Sequence, residues 1–530
     1  MATIRPSNLF SELRDWPGRL LEGDDTTTVV ARGGGTFTLR HGAGSPFEGF
    51  RIEAKGTGFA YLDGVPVAGT MTQLLIFDAE GRVVLAGSKL SGELVTDLAL
   101  FADSILGSPS EEAGPGPDGG TAWSLLLSQN DKVVGTEGDD RRYLPGFNAG
   151  DDTFDMRGGD DQMSGGIGDD AYFGGEGYDE LSFGETAFNW GAPATRGATI
   201  DVEAGTVLDP WGGTDRFEGI EQFQGSRFQD TFRGSPTEDD RFGGLRGRDV
   251  IDGGDVTFRD GEQTEDDRDR ASYGDDYWQG GRFGIVADLE TSVSGGSIRG
   301  TIRDGFGQVD TVSDIERVVG TRFRDSFVGS SVDNQFRGGE GRDTYDGQGG
   351  QDMLNFDDWF ADEEPGGIRV DLALASGQIV DDGFGNTETA LSIEEIKGTA
   401  RADSIAGNAS DNYFEGAGGA DTMRGRGGSD TFSWIEQEEL GEGDRITDFA
   451  ATGSQADRLA FETENFENMT GTLRLVNGTA ATTTAGTFLF VNATDQLIWD
   501  SNGTGAGGRE VVVVLTGVSA LSAANFDLWV

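Results

Sequence analysis

Cysteine is absent from all 530 residues. Disulfides, thiolate metal sites and cysteine nucleophiles are therefore excluded. Histidine occurs once, as His41 in the turn-like run Leu39-Arg40-His41-Gly42-Ala43-Gly44, where a surface position is expected rather than a catalytic one. One imidazole cannot build a His-Glu-x-x-His zinc site. No histidine follows any candidate serine, so a Gly-x-Ser-x-Gly elbow with its Asp and His partners is excluded as well. Lysine is confined to Lys55, Lys89, Lys132 and Lys397, leaving arginine to carry almost all positive charge. No apolar run approaches the length of a membrane span. The opening residues, Met1 to Phe10, lack the apolar core and small-residue cleavage site of a classical signal peptide.

What is abundant is acid and glycine. Asp and Glu number 94 against 40 Lys and Arg, a net charge of −54, and there are 88 glycines. Such acidity argues against nucleic acid and against anionic membrane surfaces as partners. It also opposes compaction until cations neutralise the carboxylates.

The acids are not scattered. Asp325, Asn334, Asp343 and Asp352 fall on a nine-residue ladder, each two places before an apolar residue: Phe327, Phe336, Tyr345 and Leu354. Asp403, Asn412, Asp421 and Asp430 repeat it, with Ile405, Phe414, Met423 and Phe432. Full turns read Gly165-Gly166-Ile167-Gly168-Asp169-Asp170 and Gly174-Gly175-Glu176-Gly177-Tyr178-Asp179, followed by Ala171-Tyr172-Phe173 and Glu180-Leu181-Ser182. Six residues form a turn whose glycines take φ > 0, and three form a short strand whose middle side chain points inward. Coils of this kind have two turn-lined edges, so acids eighteen apart, such as Asp161 and Asp179, stack on one edge. Stacked carboxylates repel unless a cation separates them, and carboxylates with turn carbonyls suit Ca²⁺ better than Mg²⁺. A flexible Gly/Asp linker, the bland alternative, has no reason to keep an apolar residue two places after each acid.

With these turns the chain resembles the RTX proteins (repeats-in-toxin, haemolysin-type calcium-binding repeats) that Gram-negative bacteria secrete, over about residues 131–530. The resemblance implies an all-β fold: a tandem array of parallel β-rolls, a small N-terminal β-rich, sandwich-like domain and a C-terminal β secretion domain. It implies multiple Ca²⁺ ions, on the order of ten to twenty from the number of paired turns. The ligands it implies are Asp140, Asp152, Asp161, Asp170, Asp179, Asp240, Asp249, Asp325, Asp343, Asp352, Asp403, Asp421 and Asp430. Turn carbonyls at Gly166, Gly168, Gly175, Gly177, Gly339 and Gly341 complete the set, and Asp500 with Asn502 resembles a further oxygen site near the C-terminus. Asn334 and Asn412 carry one charge fewer, and Arg142 breaks the apolar slot after Asp140, which puts the neighbouring sites in question.

Organisation follows from the punctuation. Residues 1–107 form the N-terminal domain, with strands expected at Thr36–Leu39, Phe50–Glu53, Gly58–Tyr61 and Leu74–Phe77 and an amphipathic helix from Ser91 to Leu106. A Gly/Pro-rich linker spans 108–130. The first calcium roll covers 131–183, and three modules of spacer plus roll follow at 184–273, 274–356 and 357–434. Each spacer carries an Ile-Glu pair (Ile220-Glu221, Ile315-Glu316, Ile393-Glu394) ten residues before the first Asp of its roll. The acidic stretch 255–267 reads as a protruding loop. Residues 435–530 resemble the C-terminal domain of type I secretion substrates, ending in Asn525-Phe-Asp-Leu-Trp-Val530, which resembles an uncleaved export signal.

These features lead to an expectation of a secreted, extracellular or cell-surface calcium-binding protein, exported by type I secretion machinery. A non-enzymatic structural or adhesive role is expected (surface layer, extracellular filament or biofilm matrix), with self-association into a homo-oligomer or polymer. Two alternatives stay open: a polysaccharide-active enzyme working through paired acids, and a monomeric binder of cell-surface polysaccharide. The arginines of the array (Arg227, Arg241, Arg246, Arg248, Arg322, Arg324, Arg337, Arg342) read as partners of the surplus acids. Trp190, Trp211, Trp278 and Trp359 in the spacers would discriminate, if exposed, as sugar platforms or assembly contacts.

Overall fold

A three-residue strand is too short to stand alone, so stability has to come from stacking one winding on the next. The computed structural model shows that stacking. It describes residues 150–184, 194–236, 239–254, 268–294, 297–357, 365–505 and 507–529. Short strand segments at 3–4, 28–33, 36–40, 51–62, 65–77, 83–88, 132–134, 258–259 and 262–263 are also described. The helix expected at 91–106, the linker 108–130, His41, Asp140, Arg142, Trp190, Trp359 and most of the 255–267 loop lie outside these. The described residues contain strands and 3-10 turns but no α-helix. The chain divides into two compact units, residues 1–254 and 255–530.

Before the repeats, Thr28–Gly33, Thr36–Arg40, Arg51–Leu62, Val65–Phe77 and Val83–Ser88 form one antiparallel sheet in chain order. The expected strands at 50–53 and 58–61 are one continuous strand, Arg51–Leu62, whose pairing is interrupted by register shifts after Lys55, Thr57 and Ala60. Gly56 and Gly58 fall at those irregularities, where sequence alone suggests a turn.

In the rolls, every second winding stacks in parallel on the one eighteen residues back, or nineteen where Phe242 pairs with Phe223 and Ile251 with Phe232. Tyr172 pairs with Phe154, Leu181 with Met163, Tyr345 with Phe327, Leu354 with Phe336, Met423 with Ile405 and Phe432 with Phe414. Alternate windings thus feed two facing sheets, and the aromatic side chains between them form the core. Phe232 meets Phe242 across that core at 5.3 Å, and Phe327 meets Phe336 at 5.3 Å. Tyr172, Leu181, Phe232, Phe336, Phe414 and Phe432 are fully buried. Burying such a side chain contributes roughly 1.5–3 kcal/mol, which is what holds these minimal strands in place.

The first and third spacers do not interrupt the coil; they are excursions from it. In the first, Thr199–Asp201, Thr206–Leu208 and Thr214–Glu218 form an antiparallel trio. Its last strand stacks in parallel on the preceding roll (Phe217 on Tyr172), and its first on the following roll (Ile200 on Phe232). The spacer before Asp403 does likewise. Thr389–Leu391 continues Thr344–Asp346, and Arg369–Asp371 pairs with Ser404–Ala406. At the end of the chain, Phe526–Trp529 is a strand lying parallel to Arg458–Glu462, at the margin of its sheet.

Candidate metal centre

The eighteen-residue stacking brings the ladder acids together edge by edge. Each turn Asp reaches back to the winding before it, its Oδ1 accepting the backbone N–H of the acid or amide eighteen positions earlier. Asp170 accepts from Asp152, Asp179 from Asp161, Asp343 from Asp325, Asp352 from Asn334, Asp421 from Asp403 and Asp430 from Asn412, at 2.7–3.0 Å. One rung is irregular: Asp249 accepts from Asp230, nineteen residues back. All the predicted Asp ligands among the described residues are buried. Gly166, Gly168, Gly175, Gly177, Gly339 and Gly341 have φ between 79° and 159°. At Gly175 a Cβ would lie 1.9 Å from the Arg157 carbonyl oxygen, so no side chain fits between windings there.

The second carboxylate oxygen decides whether a cation fits. Asp179, Asp352 and Asp421 each bury an Oδ2 with no hydrogen-bond partner. Those of Asp179 and Asp352 face carbonyls. A Cβ on Gly174 would sit 2.1 Å from Asp179 Oδ2 and 2.0 Å from the Gly219 oxygen. On Gly347 it would sit 2.3 Å from Asp352 Oδ2 and 2.2 Å from the Ser392 oxygen. Acceptors converging with no donor between them form a surround for a hard cation with a flexible shell of carboxylate and carbonyl oxygens. Among the described residues, no three acidic or imidazole side chains converge on one point. The oxygen set is therefore mixed, carbonyls included, as the glycine turns require.

Electrostatics agrees. Burial pushes Asp179 up to about 7, with the Glu221 charge adding to it. Asp352 rises to about 8 by burial, with Glu394 beside it, and Asp421 to about 9, with Asp444 beside it. In each case a backbone N–H bond to the carboxylate opposes the rise without cancelling it. Buried acids held this way need either a proton or a metal ion.

Other predicted ligands are satisfied by protein donors. Asp325 takes the backbone N–H and hydroxyl of Thr321 and the N–H of Ile285. Asp403 takes the same groups from Thr399 and Ile368, and Asp240 accepts from the Ser235 backbone. A Ser or Thr five or four residues upstream replaces the glycine turn at these rungs. Asn334 and Asn412 donate their Nδ2 to the Glu316 and Glu394 carbonyls, a bond a carboxylate cannot make. That is the physical reason for the amides. Asp500 is buried, with Oδ2 receiving the Arg509 guanidinium at 2.7 Å and Oδ1 bare, so part of the charge a cation would neutralise is already met. Asn502 lies two residues on, in the turn beside it.

Sequence reasoning missed the acids that carry the ladder through the spacers. Asp170 N–H donates to Asp215 and Asp179 N–H to Glu221; Asp343 N–H donates to Glu388 and Asp352 N–H to Glu394. After the last roll, Asp444 and Asp457 take the same places for Asp421 and Asp430. The recurring Ile-Glu pair is visible in the sequence, but its meaning as a ladder rung is not.

Residues 148–181, 319–354 and 397–432 match the family model described as RTX calcium-binding nonapeptide repeat (4 copies). No curated protein matches the chain. Among solved structures, a repeat subunit of the Azotobacter vinelandii mannuronan C5-epimerase shares 22% identity, covering 38% of this chain and 77% of that one, with a TM-score of 0.15.

Proposed function

Because this chain is an RTX protein, carrying calcium-binding nonapeptide repeats, we propose that it is secreted, folds on meeting extracellular calcium, and serves a structural or adhesive role. The observation that carries the calcium-dependent step is the set of buried, partnerless oxygens on Asp179, Asp352 and Asp421. In low cytosolic calcium the stacked acids repel and the chain stays open for export. Millimolar calcium outside lies in the range where extracellular modules bind. The acidic and bulky apolar run Asn525-Phe-Asp-Leu-Trp supports export by type I secretion machinery.

The role is non-enzymatic, a surface layer, filament or matrix component that associates with copies of itself. The test is light scattering with negative-stain microscopy while calcium is titrated into EDTA-stripped protein. Filaments or sheets forming as calcium reaches millimolar levels would support assembly; a folded monomer throughout would reject it.

One observation favours a second reading, glycan binding. Trp278 is 63% exposed and Phe283 58%. Trp278 packs edge-on against Tyr277 at 5.1 Å, and Arg322 lies over the Tyr277 ring. Exposed aromatic faces suit sugar rings. Trp278→Ala would abolish retention on polysaccharide under this reading and leave assembly unchanged.

A further inference from the structure

The spacers contain a recurrence of their own: Asp209-Pro-Trp-Gly-Gly-Thr-Asp215, Asp304-Gly-Phe-Gly-Gln-Val-Asp310 and Asp382-Gly-Phe-Gly-Asn-Thr-Glu388. The first acid of each closes its loop. Asp209 Oδ1 accepts the N–H groups of Trp211, Gly212 and Gly213. Asp304 Oδ1 accepts those of Phe306 and Gln308, and Asp382 Oδ1 those of Phe384 and Asn386. In the first and third copies, the acid six residues later is a ladder rung, reaching the N–H of Asp170 or Asp343.

In the first copy the remaining oxygens are stranded. Asp209 and Asp215 are 0% and 1% exposed, and the Oδ2 of each has no hydrogen-bond partner. Asp209 Oδ2 lies against the last glycine of the preceding roll turn. A Cβ on Gly213 would be 1.6 Å from the Gly168 carbonyl oxygen and 2.7 Å from Asp209 Oδ2. The surrounding charge is nearly all negative: Asp169 and Asp170 stand beside Asp215. Arg196 is the nearby cation, but its Nε donates to the Asp209 backbone carbonyl at 3.2 Å.

We propose that this loop holds a calcium ion of its own, with Asp209 Oδ2, Asp215 Oδ2 and the Gly168 carbonyl as protein ligands. The site lies where the spacer loop stands in for the next nonapeptide turn, with Asp209 and Asp215 beyond the matched repeats. Two carboxylates and a carbonyl leave room for water, as calcium sites allow. The third copy is the internal contrast. Asp382 Oδ2 receives Asn386 Nδ2 at 2.8 Å, so the loop acid is satisfied by a side-chain amide there and only Glu388 Oε2 stays without a partner.

The inference rests on the calcium reading of the repeats, and the experiment separates the two. Native mass spectrometry of the full chain in calcium counts bound ions for the unmodified protein, Asp209→Asn and Asp382→Asn. The expected result is one ion fewer in Asp209→Asn and an unchanged count in Asp382→Asn. An unchanged count in folded Asp209→Asn overturns the site; no calcium in the unmodified chain overturns the repeat reading instead. A second readout covers the case in which Asp209→Asn does not fold. Terbium bound at this site should be sensitised by Trp211, two residues from Asp209, and Trp211→Phe should remove part of the tryptophan-excited emission. Emission unchanged in Trp211→Phe also overturns the site.

Discussion

Removing calcium at neutral pH is expected to unfold the repeats, and acid is expected to restore part of what calcium supplied. The sign follows from the direction of the shifts. Asp179, Asp352 and Asp421 are raised from 3.8 to about 7, 8 and 9, so the metal-free fold holds their protons more tightly than the unfolded chain does. Their contribution is fully present below about pH 4 and is lost as pH rises through the folded values, about 7 to 9. For Asp352 near pH 7, about three units at about 1.4 kcal/mol each set a ceiling of roughly 4 kcal/mol. Water penetration and relaxation bring this to about 2 kcal/mol per rung. Three such rungs amount to roughly 6 kcal/mol, as large as the whole stability of many domains, about 5–15 kcal/mol. The assay is far-ultraviolet circular dichroism with urea melts in EDTA across the acid-to-neutral range, repeated in calcium. β-structure and melting in EDTA at neutral pH equal to those of the calcium-loaded protein would refute the reasoning.

Asp352→Asn should act in opposite directions on the two states. It removes a repelling charge and so stabilises the calcium-free protein near neutral pH, while lowering calcium affinity at that rung; urea melts with and without EDTA read both. Ala417 occupies the second turn position with φ 56°, so Ala417→Gly should relieve left-handed strain of roughly 1 kcal/mol and raise the calcium-loaded melting temperature. Lys397 holds the buried Glu415 at 2.6 Å. Lys397→Ala should cost roughly 3–5 kcal/mol by stranding that acid, and Lys397→Met with Glu415→Gln much less, measured by denaturant unfolding. Phe336 is fully buried between the two sheets, and Phe336→Ala should cost roughly 3–5 kcal/mol.

Where local chemistry repeats, the sequence is legible. The nine-residue spacing predicts the eighteen-residue stacking of Asp161 on Asp179 and the inward side chains Tyr172 and Leu181, because a strand alternates faces and a two-edged coil returns every second turn. What was not legible is long-range. Nothing local says that Glu221 completes the edge begun by Asp161, since 42 residues separate it from Asp179. Nor does an Asp two places before an apolar residue reveal whether a cation or a hydroxyl will satisfy it. Asp325 and Asp352 look alike in that respect. They differ because Thr321 stands upstream of one and a glycine turn upstream of the other.

The edge register also limits how such a gene can change length. Gaining or losing eighteen residues returns every acid to its own edge and every aromatic to its own sheet. Gaining or losing nine exchanges the edges for everything downstream. Larger pieces obey the same rule, because the first and third spacers span the same intervals between rungs, 45 residues on one edge and 42 on the other. Spacers measured so alike are interchangeable cassettes, so recombination between them should yield longer or shorter chains that still fold in register.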